Sequence, residues 1–355
     1  MEHITTKYLI VGAGLSGLTS AHKLYELGET NLLILESRDR IGGRITTQNG
    51  IDLGATWFQN HHQHVSHVLD DLGVRKFHQY SKGKSVLVYS SMAPAHYFEN
   101  DPNTPSAYRI EGGSSTLIQE LAKPNLDKIK TSTTVIAITE DKDQVIVKTT
   151  TGTYSAEKVI ITIPPRIATR IKYTPELPKK LIDTMERTHT WMSNAIKVGL
   201  TFTKPFWRDK QLSGTLIGQV GAVTELYDHS SADNRTHALM GFVNEGLRDV
   251  SPYERKTRIL DHLRTYLGDE ILDHTTYEEK DWSQDKNTAC EQIKSIYMSP
   301  RYGDAQFENT YLNNKIIFSG AETSPMYGGY MDGAIYSGIQ AAKKITLQIV
   351  SKDSI

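Results

Sequence analysis

The hydrophobic pattern opens with a four-residue apolar run, Tyr8-Leu9-Ile10-Val11, which stops at glycines in positions 12, 14 and 17. Helix-compatible sequence follows from Thr19 to Leu27, and a second apolar run, Asn31 to Leu35, ends in Glu36. Short continuous runs bounded by glycine read as buried strands, so this opening predicts strand, helix, strand. Further on, the pattern predicts helices over Val65–Leu72, Ser115–Ala122, Lys179–Arg187 and Pro252–Leu267. Alternation through Val145-Ile146-Val147-Lys148 makes Thr133–Thr139, Gln144–Thr149 and Gly152–Ala156 a hairpin-like set, with Lys158–Ile163 a separate buried strand. Lys84–Ser90, Ser193–Phe202, Thr215–Gly218 and Ala238–Val243 also read as strands. Lys197 sits in the middle of the second of these. Asn100–Pro105 is turn-rich and reads as a loop.

The first strand–turn–helix carries G-x-G-x-x-G. Gly12 permits a tight turn, Gly14 lets backbone N–H groups approach a pyrophosphate, and Gly17 lets the helix pack on the strand. The helix N-terminus offers unpaired donors and a positive dipole end. Glu36, at the end of the second strand, is placed to accept hydrogen bonds from ribose hydroxyls. This context reads as an adenine-dinucleotide site. Arg38-Asp39-Arg40-Ile41-Gly42-Gly43-Arg44 then supplies two more glycines beside arginine, a second phosphate-approach loop that NAD folds do not need.

Composition narrows the field. With 355 residues and 38% hydrophobic content, the chain suits a large α/β domain with a smaller companion. A net charge of −1 without a basic stripe argues against nucleic acid. The single cysteine, Cys290, excludes an intramolecular disulfide and fits a reducing compartment. No leader pattern or membrane-length run is present, so a cytoplasmic protein with no membrane partner is expected. His61, His64 and His67 would share a helical face, but they have little acidic or thiol company at ligand spacing, so no metal is expected.

The Arg40-Ile41-Gly42-Gly43-Arg44 run is where the chain resembles a family, the FAD-dependent oxidoreductases that include monoamine and polyamine oxidases. Its most specific match is C-terminal: Gly320-Ala321-Glu322-Thr323, then Gly328-Gly329-Tyr330-Met331-Asp332-Gly333-Ala334 through Ser337-Gly338. The resemblance implies a Rossmann-like FAD-binding domain with a smaller α+β substrate domain. The expected division is 1–80, 109–168 and 283–355 for FAD, and 81–108 and 169–282 for substrate. Arg38, Gly43, Arg44, Val135, Glu322 and Met331 join Gly12, Gly14, Gly17 and Glu36 as expected FAD contacts. Lys197, followed by Pro205-Phe206-Trp207, resembles the family lysine that contacts flavin N5 through water. Trp282, Tyr330 and Trp57 match aromatic positions around the flavin and cavity.

The chain departs from the family in two places. The stretch from Val74 to Tyr108 is short where better-known members have a long helical insertion. Cys290 lies in Thr288-Ala289-Cys290-Glu291, without the G-G-C-Y setting of a covalent flavin link, so non-covalent FAD is expected and a thioether is the alternative. The resemblance makes Tyr330 one wall of an aromatic cage, whose opposite wall would fall at Glu291 or a neighbour. The activity implied is oxidation of an amine to an imine and then an aldehyde, with dioxygen yielding hydrogen peroxide. An amino-acid oxidase, a desaturase-type enzyme and a flavoprotein module without turnover are the alternatives.

Overall fold

The computed structural model describes residues 4–101, 105, 107–289 and 302–350. Its architecture is mixed α/β, built on two large sheets. In the first, the strands run in the order Lys172–Thr174, Val135–Asp141, Gln144–Thr149, Thr153–Ile161, Ile4–Val11, Leu32–Leu35, Ile129–Lys130. Ile4–Val11 is central and parallel to both neighbours, with Val11 opposite Leu35 on one side and Ile161 on the other. Helices Leu15–Glu26 and Met331–Val350 pack on each other, and both contribute to a core that includes Tyr8, Ile10, Ile34 and Ile160. A strand covered on both faces can be apolar at every position, which is why Tyr8–Val11 shows no alternation.

Gly152–Ala156 and Lys158–Ile163, expected as separate strands, are one strand, Thr153–Ile161. Its first half pairs antiparallel with Gln144–Thr149 (Val145 opposite Ala156), and its second half pairs parallel with Ile316–Phe318 (Val159 opposite Ile316). Exposed Glu157 breaks the apolar pattern, but pairing to Ile4–Val11 runs through it. This strand therefore joins the small antiparallel sheet to the parallel one.

The second sheet runs Thr276–Asp281, Ile196–Phe202, His237–Val243, Val223–Asp228, Leu212–Gly218, Lys84–Val88, His96–Glu99. The weakly patterned stretch before Tyr108 thus supplies the last two strands of this sheet, with His96–Glu99 at its edge. His96–Glu99 is mostly exposed and carries no apolar alternation that would mark it in sequence. Helix Pro252–Leu267 packs its buried Ile259, Leu263 and Leu267 against this sheet. It starts with Pro252 after the cap Ser251, whose Oγ accepts the Glu254 N–H, and it stops at Gly268 with φ +104°. Among the described residues no helix is long and apolar enough to cross a membrane.

Strand Ile196–Phe202 is buried along its whole length. Ile196, Val198, Leu200 and Phe202 enter the core beneath helix Pro252–Leu267, so Lys197, Gly199 and Thr201 take the other face. A Cβ on Gly199 would lie 2.5 Å from Ile51 Cγ2. The glycine is what lets the segment from Ile51 settle against the lysine face. Gly199→Val is expected to destabilise the fold by about 1–3 kcal/mol through overpacking. Urea unfolding checks this, and an unchanged midpoint would show that Ile51 yields freely.

Candidate active site

The fingerprint turn forms as its glycines require. Gly12 has φ +106°, and a Cβ on Gly17 would lie 2.0 Å from Gly12 O, so the helix sits as close to the strand as glycine permits. Helix Leu15–Glu26 starts at Gly14 with no side-chain cap, leaving its first N–H groups available to a ligand. The second glycine loop lies across the first. Gly42 N–H donates to Ala13 O at 2.8 Å, and Gly14 and Gly42 form a β-bridge. The Arg40 guanidinium holds this loop by donating to the carbonyls of Ile41, Gly43 and Ile45.

Glu36 is buried. Its Oε2 accepts Ala13 N–H at 2.8 Å and its Oε1 accepts Arg38 N–H at 2.9 Å. Oε1 also takes Ser37 Oγ and Arg38 Nη1 at 3.4 Å, whereas Oε2 can accept a further bond, which suits a ribose hydroxyl. Arg38 turns its side chain to Asp285 and Thr288, at 2.8 and 2.9 Å. Arg44 Nη2 lies 2.7 and 2.9 Å from the two oxygens of buried Glu322.

At the other end, one backbone segment organises the lysine and the tryptophan. Lys197 Nζ donates to Gly54 O at 2.6 Å and Thr56 Oγ1 at 2.9 Å, with Asp52 O at 3.4 Å. Trp282 Nε1 donates to Leu53 O at 2.7 Å. The Asp52 carboxylate fixes the segment by accepting from Thr47 Oγ1 at 2.6 Å and Ser114 N–H at 2.9 Å, while Asp52 N–H donates to His229 Nε2 at 3.0 Å. Lys197 Nζ also lies 5.3 Å from the Trp57 ring and 5.0 Å from the Phe242 ring. Burial pushes the Lys197 amine down to about 7, against the opposing pull of Asp52 and Glu225. Burial, followed by Arg109 and Lys197, holds His229 well below the ordinary imidazole range, so it is neutral here. Burial also raises the Asp52 carboxyl above its usual range.

Both ends open into one cavity of about 360 Å³, within the size range of ligand sites. Among its lining residues are Gly12, Gly14, Glu36, Arg38, Gly43, Arg44, Trp57, Val135, Lys197, Trp282, Tyr330 and Met331. Two expected contacts lie behind the wall: Gly17 supports the turn and Glu322 supports Arg44. Cys290 and Glu291 lie outside the described residues. Met331 begins the C-terminal helix, whose positive dipole end therefore faces the cavity. Of the histidine run, His64 Nδ1 meets Asp332 Oδ2 at 2.8 Å, and the His62 ring packs 5.2 Å from that of Tyr330. Sequence reasoning missed Phe242, Trp191 and Met192 in the lining. Phe242 is the cross-strand partner of Lys197 and could have been found from strand register, whereas Trp191 and Met192 lie in a connector without periodicity.

The family model of flavin containing amine oxidoreductases matches residues 15–91 and 86–346. The chain belongs to that family, and it is a flavin-dependent amine oxidoreductase. The two matched pieces meet at residues 86–91, inside the stretch expected to be short. A probable flavin-containing monoamine oxidase A from Dictyostelium discoideum is 25% identical, covering 95% of this chain and 96% of that protein. An L-amino acid dehydrogenase from Synechocystis is 29% identical over 70% of this chain and 53% of its own. The solved structure of putrescine oxidase bound to putrescine superimposes with a TM-score of 0.84 at 22% identity, covering 98% of this chain and 100% of that one, and it supports the fold.

The low Lys197 pKa has a consequence for stability. Above pH 7 the folded state has released this proton, while the unfolded chain keeps it up to its ordinary value of 10.5. Stability relative to Lys197→Met, a variant without this proton, is therefore lowest below pH 7. It rises with pH through that window by up to ~1.4 kcal/mol per unit. Urea unfolding of both proteins from pH 6 to 10 checks it, and a pH-independent difference would contradict a depressed lysine.

Proposed function

We propose that the chain is an FAD-dependent oxidase of amines that holds its cofactor without a covalent bond. The observation that carries this reading is the single cavity shared by the dinucleotide fingerprint and by Lys197, Trp57, Trp282 and Tyr330. Residues 1–80, 109–168 and 283–355 would carry FAD, and 81–108 and 169–282 the substrate side. The residues present suit the cofactor, since Gly12, Gly14 and Gly43 line the cavity without side chains and helix Leu15–Glu26 starts there with no side-chain cap on its N–H groups. The glycine loops, Glu36, Arg44 and Val135 would hold its dinucleotide portion, and Met331 and the helix behind it would face the ring. When bound, FAD supplies the two-electron acceptor for the amine's α-carbon–hydrogen bond and the route onward to dioxygen and hydrogen peroxide.

The chain's own groups prepare the amine. Aromatic walls from Trp57, Phe242 and Tyr330 disfavour the ammonium ion relative to the neutral amine that is oxidised. They also exclude water from the reacting carbon. Lys197, with its amine near neutrality, can hold or release a proton at Nζ beside Thr56 Oγ1. The arginines lining the cavity are engaged: Arg38 with Asp285, Arg44 with Glu322, and Arg170 with Lys286 O. This favours an amine over an amino acid, whose carboxylate would need one of them. A cytoplasmic setting fits the single cysteine.

Loaded with FAD in air, the protein is expected to release hydrogen peroxide one for one with aldehyde from a primary amine. Peroxide without aldehyde, or neither product, would sink the reading. Because Cys290 lacks the G-G-C-Y setting, acid precipitation is expected to free all the flavin. Yellow colour retained on the pellet would instead establish a covalent link.

A further inference from the structure

Gln79 lies just past strand Lys76–His78, in the stretch before Tyr108 to which the family resemblance gave no role. Its backbone is held from both sides. Gln79 N–H donates to Ala107 O at 2.8 Å, and the ring of the next residue, Tyr80, lies 3.9 Å from the guanidinium carbon of Arg208. Arg208 is fixed in turn, with Nε and Nη2 on the two carboxylate oxygens of buried Asp228 at 2.7 and 2.9 Å. The side-chain amide of Gln79 is committed at both ends. Its Nε2 donates to Asp228 O at 2.6 Å and to Tyr80 O at 3.1 Å, which uses both hydrogens. Its Oε1 accepts the indole N–H of Trp57 at 2.8 Å. Turning the amide over would set its NH2 against the indole N–H and its oxygen against two carbonyls, so these partners allow one orientation.

Trp57 lines the cavity beside Lys197, whose Nζ is 5.3 Å from its ring. Its aromatic neighbours are Tyr227, edge-on at 4.9 Å and 67°, and Phe242, tilted at 6.4 Å. Packing holds the body of the ring, and the hydrogen bond at its polar end fixes which face it shows the cavity. We propose that Gln79 is a positioning residue, whose amide holds the Trp57 indole as the wall beside Lys197 and ties that wall to the second sheet at Asp228. The inference rests on the amine-oxidase reading above and goes beyond it by naming a residue outside the cavity lining that sets one of its walls. Without this acceptor the indole N–H would turn to find another, and the wall would turn with it.

The test follows the Trp57 indole proton by NMR, in protein carrying isotope-labelled tryptophan. The chain has four tryptophans, and loss of one signal in Trp57→Phe identifies the right one. Gln79→Met, which removes the amide and keeps its bulk, is expected to move that signal upfield and to speed its exchange with solvent roughly tenfold. Gln79→Glu, which keeps an oxygen for the indole, should leave the signal near its wild-type position. Gln79→Asn, a methylene too short to span Trp57 and Asp228 O, gives the same reading as Gln79→Met should that variant not fold. For whichever of n-butylamine and benzylamine the wild type oxidises, KM should rise roughly tenfold in Gln79→Met with kcat held, the mark of a lost binding contact. In a Trp57→Phe background, where no indole N–H remains, Gln79→Met should raise KM no further. A Trp57 signal that Gln79→Met does not move would overturn the assignment. So would an equal rise in KM in both backgrounds, which is what a general loosening of the fold would give. If wild type oxidises neither amine, the amine-oxidase reading fails, and the indole signal still decides whether Gln79 positions Trp57.

Discussion

The structure depends on how the segment Asp52 to Thr56 is gripped. Lys197 takes three of its oxygens at hydrogen-bond distance, Trp282 takes Leu53 O, and the Asp52 carboxylate is tied to Thr47 and Ser114. A buried amine is costly unless its donors are used, so Lys197 commits the second sheet to this segment and the segment to the lysine. Gly199 makes the approach possible by leaving space for Ile51. Gly54 permits a close approach of its own, since a Cβ there would lie 2.1 Å from Arg44 O. The same short stretch thus touches the arginine–glycine loop at one end of the cavity and the lysine at the other. The two halves of the site are held in one frame by backbone contacts that no longer side chain could make.

Much of this was legible in the sequence, and for physical reasons. The fingerprint turn depends on local backbone geometry, and Gly12, Gly14, Gly17 and Glu36 lie where that geometry requires them. Lys197 was legible because its strand, followed by Pro205-Phe206-Trp207, resembles the family segment; a lysine in an apolar run would not by itself have marked it. What those partners are was not legible, because Gly54 O and Thr56 Oγ1 come from a strand and turn more than 140 positions away. The fork in Thr153–Ile161 was hidden by a solvent-facing Glu157, since exposure on one residue looks like a break in a pattern whose backbone pairing is continuous. Trp191 escaped because its place in the cavity lining is set by Tyr302 and Gly329, residues that meet it only in the folded chain.

Electrostatics sorts the cavity into two regions. Around the glycine loops, arginines and carboxylates are paired, with Arg38 on Asp285 and Arg44 on Glu322, and open N–H groups complete a surface suited to phosphate. Around Lys197 the described walls are rings, and the lysine itself is pushed toward neutrality. A dinucleotide fits the first region, and an amine about to lose its charge fits the second. Membership of the flavin containing amine oxidoreductases agrees with this division.

The most direct measurement is anaerobic mixing of the FAD-loaded protein with a panel of mono-, di- and polyamines alongside amino acids, following the flavin absorbance. The account predicts bleaching by an amine, with the colour returning when air is admitted. Bleaching by an amino acid alone would move the chain toward its dehydrogenase relative, and a protein that takes up no FAD would contradict the shared cavity on which the account rests.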